Sequence, residues 1–169
     1  MKTTEKIMKT TFHKDVANNK MSITREFAGT LADVWKSWTD PKVLDQWWAP
    51  KPWKAQTKSM DFRDGGRWVY AMVGPEGEKH WALAEYSKIV PQKSFEVLDA
   101  FGDEDGNINN DFPRAKWKIV FKSVAVGTLV EIDVTYNSKE EMEKMVEMGF
   151  KEGFSMAHEN LDELLAAKK

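Results

Sequence analysis

The sequence contains no cysteine and only three histidines. The lack of cysteine excludes disulfide bonds, thiolate nucleophiles and thiolate metal sites, and it is typical of proteins in a reducing compartment. His13, His80 and His158 lie far apart and lack the spacing of a metal-binding motif, so we expect no metal and no cofactor. His158 is followed by Glu159, and we interpret these two residues as a surface or helix-end pair.

Long apolar runs and a strong net charge are also missing. No stretch approaches the roughly eighteen apolar residues of a membrane span. A net charge of −2 gives no electrostatic reason to expect nucleic acid or an anionic membrane as a partner. The first residues carry charges throughout and lack the apolar segment of a signal peptide. We therefore predict a cytoplasmic protein that binds neither nucleic acid nor a membrane.

Motifs of covalent catalysis are absent as well. No serine lies in a G-x-S-x-G element, and no glycine-rich loop ends in the Lys-Ser/Thr pair of a phosphate-binding loop. The sequence leaves enzymatic activity open, but it favours a binding function over an enzyme.

Aromatic residues are abundant, and five of the eight tryptophans fall between Trp35 and Trp53. Thr30 is placed to cap one short helix, and Asp40 followed by Pro41 is typical of the start of a second. We predict that the tryptophans of these helices pack between the helices and the rest of the core. These residues are Trp35, Trp38, Trp47 and Trp48.

Alternating apolar and polar residues predict strands on both sides of the two helices. The first two strands could pair through Asn18-Asn19, because asparagine tolerates the positive φ of a tight turn. Successive hairpins of this kind indicate an antiparallel sheet with one solvent-exposed face. The predicted strands span residues 10–17, 21–27, 54–62, 67–73, 79–89, 94–101, 116–122 and 129–136.

One long helix is predicted to end the chain, beginning after Ser138 with Glu141 in the capping-box position. Its apolar stripe includes Gly149 and Gly153, four residues apart. Glycine inside a helix costs about 1 kcal/mol relative to alanine. We therefore expect these two positions either to allow close approach to the sheet or to leave empty volume beneath the helix.

Several short motifs occur in a fixed order along these elements, over residues 20–166. They are Ile23-Thr-Arg-Glu-Phe27, Val34-Trp35, Trp38-Thr-Asp-Pro41, Gln46-Trp-Trp-Ala-Pro50, Asp64-Gly-Gly-Arg-Trp68, Gly74-Pro-Glu-Gly77 and Gly149-Phe-Lys-Glu-Gly153. Together they resemble the activator of Hsp-ninety ATPase homologue family (AHSA type), a branch of the START-like or SRPBCC superfamily of polyketide cyclases and lipid-transport proteins.

The resemblance and the order of elements imply an α+β helix-grip fold. In this fold a curved antiparallel sheet, here of about six to eight strands, wraps around a long C-terminal helix. Two short helices follow the first core strand. We expect residues 9–169 to form this single domain, as a monomer or a homodimer, and residues 1–8 to form a flexible tail.

The resemblance also implies a cavity between the sheet and the C-terminal helix that holds a small apolar molecule. Methionine adapts to irregular volume, and tryptophan or tyrosine can offer one hydrogen bond to an apolar guest. Each candidate lining residue could equally be an ordinary core residue. The candidates are Trp68, Tyr70, Met72, Trp81, Phe101, Trp117, Phe121, Met145, Gly149 and Met156.

Two carboxylates could add chemistry to such a cavity. If Phe95 and Phe101 point inward, strand alternation sends Asp99 inward with them. If Trp81 points inward, so does Glu85. A carboxylate in an apolar cavity has a raised pKa and could act as an acid or base in a cyclase or hydrolase. Alternatively, a bulge or strand end leaves each in solvent, or it forms an ion pair with one of the nearby arginines, Arg63, Arg67 or Arg114.

Three functions therefore stand side by side. The leading prediction is a binder of a small hydrophobic or aromatic molecule. A pocket enzyme would require a buried carboxylate beside empty volume. A third possibility is a module that contacts a chaperone through the tryptophan-rich helices or through the exposed face of the sheet. Exposed Trp47 or Trp48 side chains would favour it.

Overall fold

The computed structural model describes residues 9–167, which form four α-helices and one eight-stranded antiparallel sheet. The predicted tail at residues 1–8 lies outside the described residues. The strands are β1 (Thr11–Asp15), β2 (Lys20–Phe27), β3 (Lys54–Met60), β4 (Arg67–Val73), β5 (Lys79–Val90), β6 (Ser94–Phe101), β7 (Lys116–Val124) and β8 (Gly127–Thr135). The helices are α1 (Leu31–Thr39), α2 (Pro41–Trp47), α3 (Lys139–Glu147) and α4 (Phe150–Ala167). Within residues 9–167, none of these helices combines the length and the apolar character needed to cross a membrane.

The sheet has the order β1-β2-β8-β7-β6-β5-β4-β3. Every neighbouring pair consists of strands that follow one another in the chain, except β2 and β8, which join the N-terminal hairpin to the last strand. With α1 and α2 inserted after β2 and a long helix at the end, this is the α+β helix-grip architecture predicted from the sequence. The predicted pairing of the first two strands is confirmed, but the two-residue turn at Asn18-Asn19 is wrong, because residues 16–19 connect the strands and include a short 3-10 helix, Val16–Asn18. Asn19 alone has the positive φ expected of such a turn, at 54°.

The helices begin at the caps that the sequence predicted. The Thr30 hydroxyl accepts a hydrogen bond from the backbone N–H of Asp33, and the Asp40 carboxylate accepts one from the N–H of Lys42. Ser138 caps α3 in the same way. Each cap satisfies a backbone donor that the first turn of a helix leaves without a partner. These contacts fix where α1 and α2 start, and so where their tryptophans lie.

The prediction of one continuous helix after Ser138 is wrong, because the segment is divided at Gly149. Gly149 has a φ of +93°, a conformation that L side chains disfavour but glycine adopts freely. This residue separates α3 from α4, and the long C-terminal helix of the fold is the 18-residue α4 alone.

The tryptophans of α1 and α2 pack against the sheet and against each other, as predicted. Trp35 makes edge contacts with Phe95 and Phe121, at centroid distances of 5.7 and 5.1 Å. Trp38 and Trp47 contact each other at 4.9 Å, and both are buried. Such edge-to-face pairs add to the free energy gained from burying the rings. These ring contacts hold α1 against strands β6 and β7 of the sheet.

Candidate functional site

A cavity of about 310 Å³ lies between strands β4 to β7 and the junction of α3 with α4. Most of its lining side chains are aromatic or aliphatic. The strands supply Tyr70, Met72, Asp99 and Trp117, and the helices supply Met145, Phe150 and Phe154. Ligand pockets usually measure about 300 to 1,000 Å³, so this cavity has room for one small molecule.

Six of the ten predicted lining residues line this cavity: Tyr70, Met72, Phe101, Trp117, Met145 and Gly149. A seventh, Trp68, lines a smaller cavity of about 70 Å³. The two cavities share part of their walls, because both are bordered by Trp48, Tyr70, Leu83, Asp99 and Trp117.

Trp81, Phe121 and Met156 do not line either cavity. Phe121 is buried in the main core, in contact with Trp35 of α1. Trp81 packs with a small cluster on the other face of the sheet, around Leu83. Met156 is 40% exposed, because the stripe that α4 buries passes through its neighbour in sequence, Ala157.

Asp99 is the carboxylate that the structure brings to the cavity. Its Oδ1 accepts a hydrogen bond from the backbone N–H of Ala115, and its Oδ2 accepts one from Nε1–H of Trp117, both at 2.7 Å. Burial raises the pKa of Asp99, while the hydrogen bonds from Ala115 and Trp117 and the charge of Arg114 oppose that rise. The inward orientation predicted for Asp99 from the alternation of β6 is confirmed, and its surroundings are those of a polar anchor inside an apolar volume.

Glu85 lies on the opposite face of the sheet from the cavities, in the ion pair with a nearby arginine that was the alternative to its inward orientation. Arg114 Nη2 donates to Glu85 Oε1 at 2.6 Å, and Arg67 Nε lies 3.8 Å from Oε2. Of the residues of β5, His80, Ala82, Ala84 and Tyr86 each line one of the two cavities, and Leu83 between them borders both. Apolar residues lie on both faces of β5, because a second apolar cluster, which includes Trp81 and Leu83, covers the outer face. Alternation alone therefore does not tell which of the two sets of β5 residues faces α4.

Tyrosine hydroxyls add polar groups to the same walls. The hydroxyl of Tyr70 accepts a hydrogen bond from Nε1–H of Trp48 at 3.0 Å, and its ring stacks on Trp68 at a centroid distance of 3.9 Å. Burial raises the pKa of Tyr70 and of Tyr136 well above the ordinary value, and the nearby charge of Asp99 acts in the same direction. Both phenols are therefore neutral at physiological pH and keep an O–H that can donate.

His158 is buried in the core, so its interpretation as a surface pair with Glu159 is wrong. Its Nδ1 is hydrogen-bonded to the Thr10 hydroxyl at 2.7 Å, and its ring packs on Phe154 at a centroid distance of 4.1 Å. Its Nε2 has no hydrogen-bond partner among the described residues. Burial lowers the pKa of His158 to about 3, with a smaller contribution from the positive charge of Arg25. His158 is a neutral part of the core and does not line the cavity.

Sequence reasoning missed several residues that line the cavity, above all Trp48, Tyr136, Phe150 and Phe154. The sequence did contain a signal for Phe150 and Phe154. They are four residues apart, and each comes directly after one of the two glycines, Gly149 and Gly153, that were assigned to the apolar stripe of the helix. No such signal existed for Trp48, whose position depends on how α2 docks onto the sheet. Among residues 9–167, no group of histidine, aspartate and glutamate side chains is arranged to hold a metal ion.

The sequence matches the family model of activator of Hsp90 ATPase homolog 1-like proteins over residues 28–166. The crystal structure of protein Ms6760 from Mycobacterium smegmatis is similar, with 35% identity, a TM-score of 0.84, and coverage of 92% of this chain and 96% of that one. The solution NMR structure of a protein from Arthrobacter aurescens has 32% identity and a TM-score of 0.86, covering 93% and 91%. The AHSA1 protein from Silicibacter pomeroyi, at 20% identity and a TM-score of 0.69, covers 89% of this chain and 99% of its own and shares the fold. A comparison with curated proteins gives no match.

Proposed function

Because the chain belongs to the family of activator of Hsp90 ATPase homolog 1-like proteins, we propose that it binds a small hydrophobic or aromatic molecule in the cavity between the sheet and α4. Family membership supports either a ligand-binding module or an Hsp90 ATPase activator-like module. The observation that carries the first choice is the volume of about 310 Å³ lined largely by aromatic and aliphatic side chains.

The glycine at position 153 supports this proposal. Gly153 lies inside α4, where glycine costs about 1 kcal/mol relative to alanine. A Cβ atom added there would meet only Pro50 Cγ, at the ordinary contact distance of 3.6 Å. Steric crowding therefore does not require glycine at this position. Because glycine has no side chain, this position leaves the neighbouring part of the cavity empty, and that space is available to a ligand.

Apolar ligands that contain one aromatic ring or two fused rings will raise the melting temperature of the protein and form a one-to-one complex with it. At a free concentration 100 times Kd, such a ligand stabilises the folded state by about 2.7 kcal/mol, which corresponds to roughly 5–10 °C for a domain of this size. The measurement is thermal unfolding with naphthalene and indole derivatives, followed by calorimetric titration of those that act. A panel in which no compound binds would contradict the proposal.

A pocket enzyme is the second candidate, and one observation favours it: Asp99 borders empty volume and has a raised pKa. Such a carboxylate could take a proton from a bound substrate as a general base. Glu85 would have no part in this chemistry, because it is paired with Arg114 on the other face. Mass spectrometry of a bound compound before and after incubation tests this candidate, and a product formed by the wild type but not by Asp99→Asn would favour it.

The chaperone-contacting alternative has less support from the tryptophan-rich helices. Trp47 is fully buried, and Trp48 lines the cavity with its indole N–H donated to Tyr70. Exposed rings at these positions were the feature that would have favoured docking to a chaperone. On the basis of the sequence, we also propose that the protein is cytoplasmic and is either a monomer or a homodimer.

A further inference from the structure

We propose that the cavity selects ligands that present a hydrogen-bond donor to Asp99, preferably a positively charged amine, with their apolar rings against the aromatic walls. This inference rests on the proposed function and adds a chemical class to it. It follows from which polar groups around the cavity already have partners and which have capacity left.

The Asp99 carboxylate has capacity left. An ionised carboxylate offers about four acceptor positions and no donor. Ala115 N–H uses one position on Oδ1, and Trp117 Nε1–H uses one on Oδ2. Asp99 lines both cavities, so its remaining acceptor positions are open to a ligand. A donor on the ligand would complete its hydrogen bonding.

The indole N–H groups around the cavity, by contrast, already donate to protein acceptors. The indole N–H of Trp48 is donated to Tyr70, and that of Trp117 is donated to Asp99. Among the described side chains that line the cavity, the tyrosine hydroxyls and the imidazole of His80 retain a proton to donate. A ligand that carries only acceptors, or a negative charge, therefore finds few partners here and is repelled by Asp99.

No fixed positive charge from the lining side chains competes with the ligand for Asp99. The nearest guanidinium, on Arg114, donates Nε–H to the backbone oxygen of Asp99 at 2.9 Å and pairs its Nη2 with Glu85. The described residues that line the cavity include no lysine and no arginine, and His80 is their only basic side chain. A cationic ligand would thus supply a counter-charge to the carboxylate from the cavity side.

The aromatic walls favour the same ligand. Trp48, Tyr70, Trp117, Tyr136, Phe150 and Phe154 all border the cavity. The faces of aromatic rings carry partial negative charge and attract ammonium groups, with tryptophan the strongest of the three residue types. Rings and carboxylate together match a compound with an aromatic body and an amine head.

The test compares four compounds that share one ring system and differ in the head group: naphthylethylamine, naphthylethanol, ethylnaphthalene and naphthylacetate. Calorimetric titration of the wild-type protein at neutral pH should rank them in that order. The amine forms a charge-assisted hydrogen bond with Asp99, the alcohol a weaker neutral one and ethylnaphthalene none, so we expect the amine to bind about tenfold more tightly than ethylnaphthalene.

Variants then assign the preference to Asp99. Asp99→Asn should reduce the advantage of the amine over ethylnaphthalene to about twofold or less, because the charge is removed while the size of the side chain is kept. The amide oxygen can accept from only one of Ala115 N–H and Trp117 Nε1–H, so the comparison between the two compounds is made within the variant. Glu85→Gln is the matched control, since it removes a carboxylate from the outer face, and the preference should persist in it.

The outcomes separate this inference from the proposed function. If ethylnaphthalene binds as tightly as the amine, or naphthylacetate binds more tightly, the inference is overturned and the proposed function stands. If none of the four compounds binds the wild type, both are overturned. Even if Asp99→Asn fails to fold, the order of affinities of the four compounds for the wild-type protein tests the preference for an amine.

Discussion

Acidification from pH 6.5 towards pH 3 will destabilise this protein by on the order of 4 kcal/mol through His158 alone. The pKa of His158 is lowered to about 3 in the folded state, while the unfolded chain has the ordinary value of 6.5. Between these values the unfolded state binds a proton that the folded state does not. The stability contributed by the neutral ring is therefore complete above pH 6.5 and is lost as the pH falls.

The physical reason is the environment of the imidazole ring. A charged imidazolium donates from both nitrogens, but Nε2 has no acceptor among residues 9–167. The ring is surrounded by Phe27, Trp38 and Phe154, and the positive charge of Arg25 lies near it. The loss of hydration on burial and the repulsion from Arg25 therefore disfavour a second positive charge on His158.

Urea unfolding at a series of pH values tests this prediction. In His158→Phe the free energy of unfolding should change with pH less steeply than in the wild type, by up to about 1.4 kcal/mol per pH unit between pH 6 and 4. The variant keeps an aromatic ring in the core, and the raised pKa values of Asp99 and Asp162 are present in both proteins, so their contribution cancels. His13→Gln, at an exposed position, is the control. Equal slopes for wild type and His158→Phe would refute the account of His158.

Filling the cavity from the helix side should abolish ligand binding. In Gly153→Phe the new side chain extends from α4 where a Cβ meets only Pro50, and the cavity is the space available to its ring. We expect the affinity for the naphthalene compounds to fall by at least about 100-fold, or about 2.7 kcal/mol, because the ring replaces most of the ligand's buried apolar area.

A phenylalanine on the outer side of the same helix provides the control for this experiment. Glu152 precedes Gly153 and is exposed, so Glu152→Phe adds an equal ring outside the cavity. Circular dichroism and thermal unfolding should show both variants folded. Wild-type affinity in a folded Gly153→Phe protein would mean that the ligand binds elsewhere.

The helix caps and strand pattern could be predicted because they depend on neighbours in sequence. Thr30, Asp40 and Ser138 cap the helices for reasons that each short segment contains. The inward orientation of Asp99 followed in the same way from Phe95 and Phe101. Local rules are sufficient where a strand has one apolar and one polar face, or where a helix start has a polar cap.

The remaining features depend on contacts between distant segments. Glu85 could not be oriented from β5, because a second cluster covers the outer face of that strand. His158 has a polar neighbour in sequence, Glu159, and its burial results from contacts with Thr10 and Phe27, more than a hundred residues away. The break at Gly149 is local, but helical spacing continues through it, and only the backbone conformation reveals it.

The most direct test of ligand binding between the sheet and α4 is NMR of the methionine methyl groups during titration with naphthylethanol. Met72 and Met145 line the cavity, whereas Met156 lies on the exposed side of α4. We expect the methyl resonances of Met72 and Met145 to shift and saturate together, while that of Met156 stays unchanged. Saturable binding that shifts Met156 and leaves Met72 and Met145 unaffected would contradict the proposed site.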